Sequence, residues 1–188
     1  MDDLPARILA FWFGPPPLAP RAEWFRKDER FDAAIRERFG EAVGIALAGG
    51  YGDWSATPAG ALARILLLDQ FTRNIHRGTP LAFAGDERAL ATAEDAVARG
   101  FDRQLDPIER RFCYLPFEHS EDLAVQQRSL ALFRALADDT GDRDPLDWAE
   151  KHEVIIRRFG RYPHRNAILG RASTPDELAF LAQPGSSF

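Results

Sequence analysis

Apolar residues along this chain recur at three- and four-residue spacings, and runs of alternating β-branched residues are absent, so the pattern predicts helices and no strands. Alanine, leucine, arginine and glutamate fill those runs, all good helix formers. The spacing predicts helices near 3–13, 28–48, 58–76, 80–99, 107–114, 117–138, 145–159, 164–170 and 175–182. Five dipeptides mark starts: Thr57-Pro58, Thr79-Pro80, Asp106-Pro107, Asp144-Pro145 and Thr174-Pro175. In each, the first side chain can accept from first-turn amides, and proline occupies the position that needs no N–H. Glu109 and Glu177 stand three residues after Asp106 and Thr174, which completes two capping boxes. Gly40, Gly78, Gly100, Gly141, Gly160 and Gly170 fall where helices would stop. The stretch Gly14-Pro-Pro-Pro-Leu-Ala-Pro20 reads as an extended connector.

Polar residues interrupt the predicted core stripes. On the 58–76 helix Leu62 and Leu66 share a stripe with Asp69, Arg73 and His76, while Leu67, Leu68, Phe71 and Ile75 cover the other side. A helix apolar nearly all round is expected at the centre of the fold. Asp69 and Arg73, four residues apart, read as an ion pair. On the 117–138 helix the stripe of Val125, Ser129, Phe133 and Leu136 extends back onto Glu118 and Asp122, with His119 at its edge, whereas Glu121 points away. Two carboxylates on one buried stripe repel unless a cation, a shared proton or a metal lies between them. On the 145–159 helix His152 sits within the face of Trp148, Ile155, Ile156 and Phe159, and Glu153 reads as solvent-facing. The segment from Arg157 to Asn166 brings Arg161, His164, Arg165 and Asn166 around a glycine and proline turn, a layout suited to an anion.

Composition narrows the class. A 188-residue chain fits one domain, spanning 1–188, and buries roughly 70% of the surface its unfolded form exposes. The net charge of −5 argues against nucleic acid as a partner, yet leaves room for small anions at local basic clusters. Cys113, the only cysteine, excludes an intrachain disulfide and reads as a packed core residue. The start, Met-Asp-Asp-Leu-Pro, has no basic region followed by an apolar run, and no apolar stretch reaches the ~20 residues that span a bilayer. A cytoplasmic location without a membrane partner is the expectation. The alanine-rich 80–99 helix, with Leu81, Phe83 and Leu90, could pack on a second copy in a homo-oligomer.

The stretches LLLDQFTRNIHRGTP at 66–80, YLPFEHSED at 114–122 and RFGRYPHRN at 158–166 resemble the bacterial family catalogued as domain of unknown function 924. The resemblance takes in Trp24-Phe25, Leu169-Gly-Arg171 and Ser173-Thr-Pro-Asp-Glu177, and so covers nearly the whole chain. It implies an all-α, tetratricopeptide-like right-handed stack of helix pairs, and it brings no activity, cofactor or catalytic residue. Thr72 departs from the family pattern, where proline is usual.

Three functional readings follow. The first is a polar cleft that binds a small anionic ligand or an acidic peptide end through Arg73, Arg77, Arg161, His164, Arg165 and Asn166, with Asp69, Glu118 and Asp122 orienting the arginines. The second is an enzyme, either a metal-dependent hydrolase through Glu118, His119, Asp122 and His152 with His164 or Tyr114 as acid or base, or a metal-free enzyme of unspecified reaction through a raised Glu118 or Asp122 beside a histidine. Against metal stands the missing HExxH spacing. The third is a scaffold for protein contacts in which these residues form a buried network. No nucleophile elbow or phosphate-binding loop occurs.

Overall fold

A computed structural model describes residues 3–186, and all regular structure among them is helical. In chain order the α-helices are α1 Leu4–Phe13, α2 Glu29–Leu47, α3 Pro58–Ile65, α4 Thr72–Ile75, α5 Asp86–Ala98, α6 Pro107–Glu118, α7 Leu123–Thr140, α8 Asp144–Phe159 and α9 Pro175–Leu181. A π-helical stretch, Leu66–Phe71, joins α3 to α4 without a break. None of the described helices is long and apolar enough to cross a membrane.

The centre is the segment that the pattern marked as apolar all round. Leu66, Leu67, Leu68, Asp69 and Phe71 are all fully buried, and α2 and α5 pack on this π-helical stretch from two sides. One extra residue per turn widens the helix here, and π turns of this kind are frequent at functional sites. Thr72 closes the turn: its amide bonds to the Leu67 carbonyl, and its hydroxyl donates to the same oxygen at 2.8 Å. On one flank Phe11, Trp12, Phe31, Phe39 and Phe71 form a continuous group of ring contacts. Trp24 and Phe112 extend it, with centroids 4.8 Å apart.

Most starts and stops lie where the sequence put them. Thr57 accepts from Gly60 N, and both capping boxes form. Gly141 and Gly160 end α7 and α8 in the left-handed conformation.

Five expectations need correction. Gly40 lies inside α2, which runs on to Leu47. The predicted 80–99 helix is a 3-10 turn, Pro80–Phe83, followed by α5. Gly85 at that joint lies so close to the Leu68 carbonyl that a Cβ would sit 2.1 Å from its oxygen. The predicted 164–170 helix is a 3-10 turn, Pro163–Arg165, with turns after it.

The fourth correction matters most for the site. α6 continues through Pro116 to Glu118, and the break falls at residues 119–122 instead of before Phe117. Proline lost to the stronger signal of Asp122, whose side chain accepts from Ala124 N and Val125 N as the N-cap of α7. Asp122 is therefore exposed and does not share a buried stripe with Glu118.

The fifth concerns two glutamates read as solvent-facing. Glu153 is buried and paired with Arg157. Glu121 accepts from Tyr162 N at 2.8 Å and pairs with Arg171 at 2.6 Å. Arg171 lies outside the segment that the helical wheel of Glu121 includes, whereas Arg157 stands four residues after Glu153 on α8 and it is burial by other elements that the wheel does not report.

Candidate functional site

The break between α6 and α7 opens onto a cavity of about 590 Å³. Residues 20–27, the α3–α4 segment, α6, the start of α8 and the turn at 162–165 form its walls. Arg73, Arg77 and Arg165 line it from the core side, and Arg21, Arg26, Lys27 and Arg111 from the other. Against these seven cations stand two carboxyl groups, Glu118 and Asp144. Carboxylates outside the wall pair with several of these cations: Asp69 and Asp86 with Arg73, Asp86 with Arg165 and Asp32 with Arg77.

Arg165 shows how the cations are held. Its guanidinium lies over Phe83 at 4.7 Å and Tyr162 at 4.6 Å from the ring centroids. Nη1 donates to Asp86 at 3.1 Å and Nη2 to the His119 carbonyl at 3.0 Å, while its buried Nε has no hydrogen-bond partner. Burial lowers its pKa from the ordinary value, the mark of a cation removed from water. Arg73 meets the same Asp86 at 2.8 Å and Asp69 at 3.4 Å, which bears out the ion pair read between residues 69 and 73. Arg77 is held by Asp32 at 3.0 Å through both Nε and Nη2.

The acidic and imidazole groups stand on the α6 end, on α8 and on the turn Pro163–Arg165. Glu118 is buried, and that burial pushes its carboxyl up to about 8, with Arg111 opposing the rise and Asp69 adding to it. At neutral pH it carries a proton. His152 Nδ1 lies 2.9 Å from the Trp148 carbonyl and 3.3 Å from Glu118 Oε1. Burial pushes this imidazole down to about 3. Burial and the charges of Arg165 and Arg73 hold His164 down at about 4.

The backbone beneath Glu118 is fixed. Tyr162 OH and Gln126 Nε2 both donate to its carbonyl, and Gln126 Nε2 also reaches the Ser120 carbonyl at 2.7 Å.

His119 caps α6, and its Nδ1 lies 2.6 Å from Asp69 Oδ1. Asp69 is fully buried behind it, with Gln70 and Arg73 as further donors. Burial would raise the Asp69 carboxyl, but His119 and Arg73 outweigh it and keep the group ionised. Burial likewise outweighs the pull of Asp69 on His119 and lowers the imidazole below its ordinary value.

Of the twelve residues expected at a site, Arg73, Arg77, Glu118, His119, His152, His164 and Arg165 line this one cavity. Asp69 supports it from behind. Four lie elsewhere. Tyr114 donates to Asp102 and accepts from Arg110 on the other side of α6. Asp122 caps α7. Arg161 is tied to Glu177 and the Ala172 carbonyl, and Asn166 bonds to Ser173 and Glu177, so both brace α9. Without Asp122 the four-ligand metal set dissolves, and among the described residues no three His, Cys, Asp or Glu side chains stand together as metal ligands. Cys113 is buried with its thiol pushed up to about 12 by burial, in keeping with a core role.

Residues 20–27 were missed as a wall. Their signal is the basic and aromatic run Arg21-Ala-Glu-Trp-Phe-Arg-Lys27, which has no helical period to place it. Arg21 Nη1 donates to the Phe11 and Trp12 carbonyls at 2.8 and 2.9 Å, and Trp24 Nε1 to the Trp12 carbonyl at 3.0 Å, which pins the run to the end of α1. Trp148 and Phe25, both partly exposed, add apolar surface to the cavity.

Comparison with known proteins agrees with the motifs. The sequence model of a bacterial protein family of unknown function, DUF924, matches residues 8–185. The chain belongs to this family. The structure of a protein of unknown function, ATU0120 from Agrobacterium tumefaciens, is similar over 95% of this chain and 97% of its own, at 41% identity and a TM-score of 0.87. No curated protein matches.

Proposed function

We propose that the cavity between α4, α6, α8 and residues 20–27 binds a small anionic molecule, a phosphorylated or carboxylated metabolite. The observation that carries this reading is the charge count of the wall. Seven guanidinium or ammonium groups line about 590 Å³ with two carboxyl groups among the lining residues, of which Glu118 is held in its neutral form by burial, while the carboxylates that pair with Arg73, Arg77 and Arg165 stand behind the wall. Grouping cations in a partly closed space costs self-repulsion and desolvation, and an anion relieves both. Arg165 presents its planar guanidinium already fixed by two rings, so little side-chain entropy is lost on binding. Apolar surface from Phe25, Trp24 and Trp148 suits a ligand with a hydrophobic part beside its charge.

The pairwise packing of α6 on α7 and α7 on α8 supports a tetratricopeptide-like stack of helix pairs as the frame, with the cavity on its inner side. Phosphate and sulfate should raise the melting temperature of the protein, and Arg165→Ala should remove that rise. An equal rise in the variant would place the anion elsewhere.

A further inference from the structure

His119 lines the cavity with one ring nitrogen committed to the buried Asp69 carboxylate. With Nδ1–H given to Asp69 at 2.6 Å, the lone pair of the neutral ring resides on Nε2, on the edge opposite Asp69. The backbone that carries the ring is fixed on both sides, because Arg165 holds the His119 carbonyl at 3.0 Å and the helix cap fixes its amide on the Leu115 carbonyl at 2.9 Å. Asp69 is itself held by Gln70 and Arg73 on a fully buried π turn. A carboxylate that orients the imidazole of a residue lining a cavity is the arrangement of a general base. The preceding residue, Glu118, lines the same cavity, with its carboxyl Oε1 3.3 Å from His152 Nδ1.

Resting on the anion reading above, we propose that this site hydrolyses esters of carboxylate-bearing acids, with His119 as general base, Glu118 as general acid and Asp69 as the positioning residue. The substrate carboxylate pairs with Arg73 and Arg165. His119 Nε2 takes a proton from water as the water oxygen bonds to the acyl carbon, and the carbonyl π electrons move onto oxygen. The tetrahedral intermediate then collapses, the bond to the leaving oxygen breaks, and that oxygen takes the proton of Glu118. The imidazolium proton returns to Glu118 through solvent. One water is consumed, and one acid and one alcohol are released. Both groups hold the required form near neutral pH, since burial lowers the His119 imidazole and raises the Glu118 carboxyl to about 8.

The charged and titratable groups around His119 are Asp69, Arg73, Asp86, Arg165 and the adjacent Glu118, with His152 and His164 near enough to be felt. Asp69 is the anion in direct contact, so its removal should lower the imidazole pKa.

The test uses mono-(4-nitrophenyl) succinate, with 4-nitrophenyl acetate as the neutral control. The protein should turn over the succinate ester with a kcat/KM about tenfold or more above that for the acetate. His119→Gln should reduce kcat/KM by about 10²-fold or more, in the range a positioned base contributes. Asp69→Asn should lower kcat and move the acidic limb of the pH profile to lower pH, which a purely structural role would not do. Independently of any variant, diethyl pyrocarbonate at pH 7 should modify His119 in the wild-type protein, and phosphate should protect it.

No turnover above buffer, turnover unchanged in His119→Gln, or an unreactive His119 would overturn the proposal. If phosphate still raises the melting temperature of that same preparation, the anion reading survives. If it does not, both fall.

Discussion

Arg73 and Arg165 share one carboxylate: Nη2 of Arg73 lies 2.8 Å from Asp86 Oδ1, and Nη1 of Arg165 lies 3.1 Å from Asp86 Oδ2. The two arginines come from residues 73 and 165, and Asp86 is the anion that lets them stand together. Asp69 compensates Arg73 further at 3.4 Å, whereas Arg165 has only a backbone carbonyl as its other acceptor. Asp86→Asn should therefore destabilise the free protein by about 1–3 kcal/mol, the usual cost of losing hydrogen bonds to a charged group. It should also enlarge the melting-temperature rise given by phosphate, because the anion then supplies the missing charge. A smaller rise than in the wild type would contradict the account.

Glu118 sets a pH dependence of known sign. Its folded-state pKa of about 8 is raised above the unfolded value, so the folded chain binds the proton more tightly. The stability this proton contributes is fully present below about pH 4.5 and is lost as pH rises through 8. The slope of unfolding free energy from this group is at most about 1.4 kcal/mol per pH unit. Glu118→Gln should flatten the fall in chemical-denaturation stability between pH 5 and 8.

His152 acts at the other end of the scale. Its folded value of about 3 lies below the unfolded one, so its contribution is present above about pH 6.5 and is lost as pH falls toward 3. Between pH 6.5 and 4.5 the melting temperature of His152→Gln should fall less steeply than that of the wild type. An unchanged slope would mean that the imidazole is not held neutral.

Tyr162 holds the end of α6. Its hydroxyl donates to the Glu118 carbonyl and accepts from Gln126 Nε2 at 2.8 Å, all of it buried. Tyr162→Phe should cost about 1 kcal/mol, the net worth of a hydrogen bond, because the Glu118 carbonyl keeps Gln126 as a donor. Denaturant midpoints at constant m-value measure this directly.

Arg161 offers a control outside the cavity. It is bonded to Glu177 at 2.6 and 2.8 Å and to the Ala172 carbonyl at 2.9 Å, so it ties the 160–162 turn to α9. Arg161→Ala should lower the melting temperature and leave the response to phosphate unchanged.

The helical class, the central position of the 58–76 segment and the capping boxes at Asp106 and Thr174 were legible because each rests on local chemistry that a short window contains. Arg73, Glu118, His119 and His152 were legible only as polar residues on or beside core-facing stripes, and Arg165 only as part of a basic glycine and proline turn, so their convergence was not. The wheel could not carry the π turn at Leu66–Phe71, which shifts the register between Leu62 and Asp69. Nor could it decide between Pro116 and Asp122 as the mark of a helix boundary, and that choice created a false carboxylate pair at 118 and 122. Glu121, Glu153, Arg161 and Asn166 were misjudged for one reason. Their roles depend on partners such as Arg171 and Glu177, or on burial by another element, which no single-segment pattern reports. Arg21, Arg26 and Lys27 lie on a non-periodic run whose place is set by hydrogen bonds to the end of α1.

Calorimetric titration of pyrophosphate at low ionic strength into the wild-type protein and into Arg165→Gln tests the cationic cavity most directly. The account predicts saturable binding at one site, weakened about tenfold or more in the variant and by added salt. Absence of saturable heat in the wild type, or equal affinity in the two proteins, would contradict it.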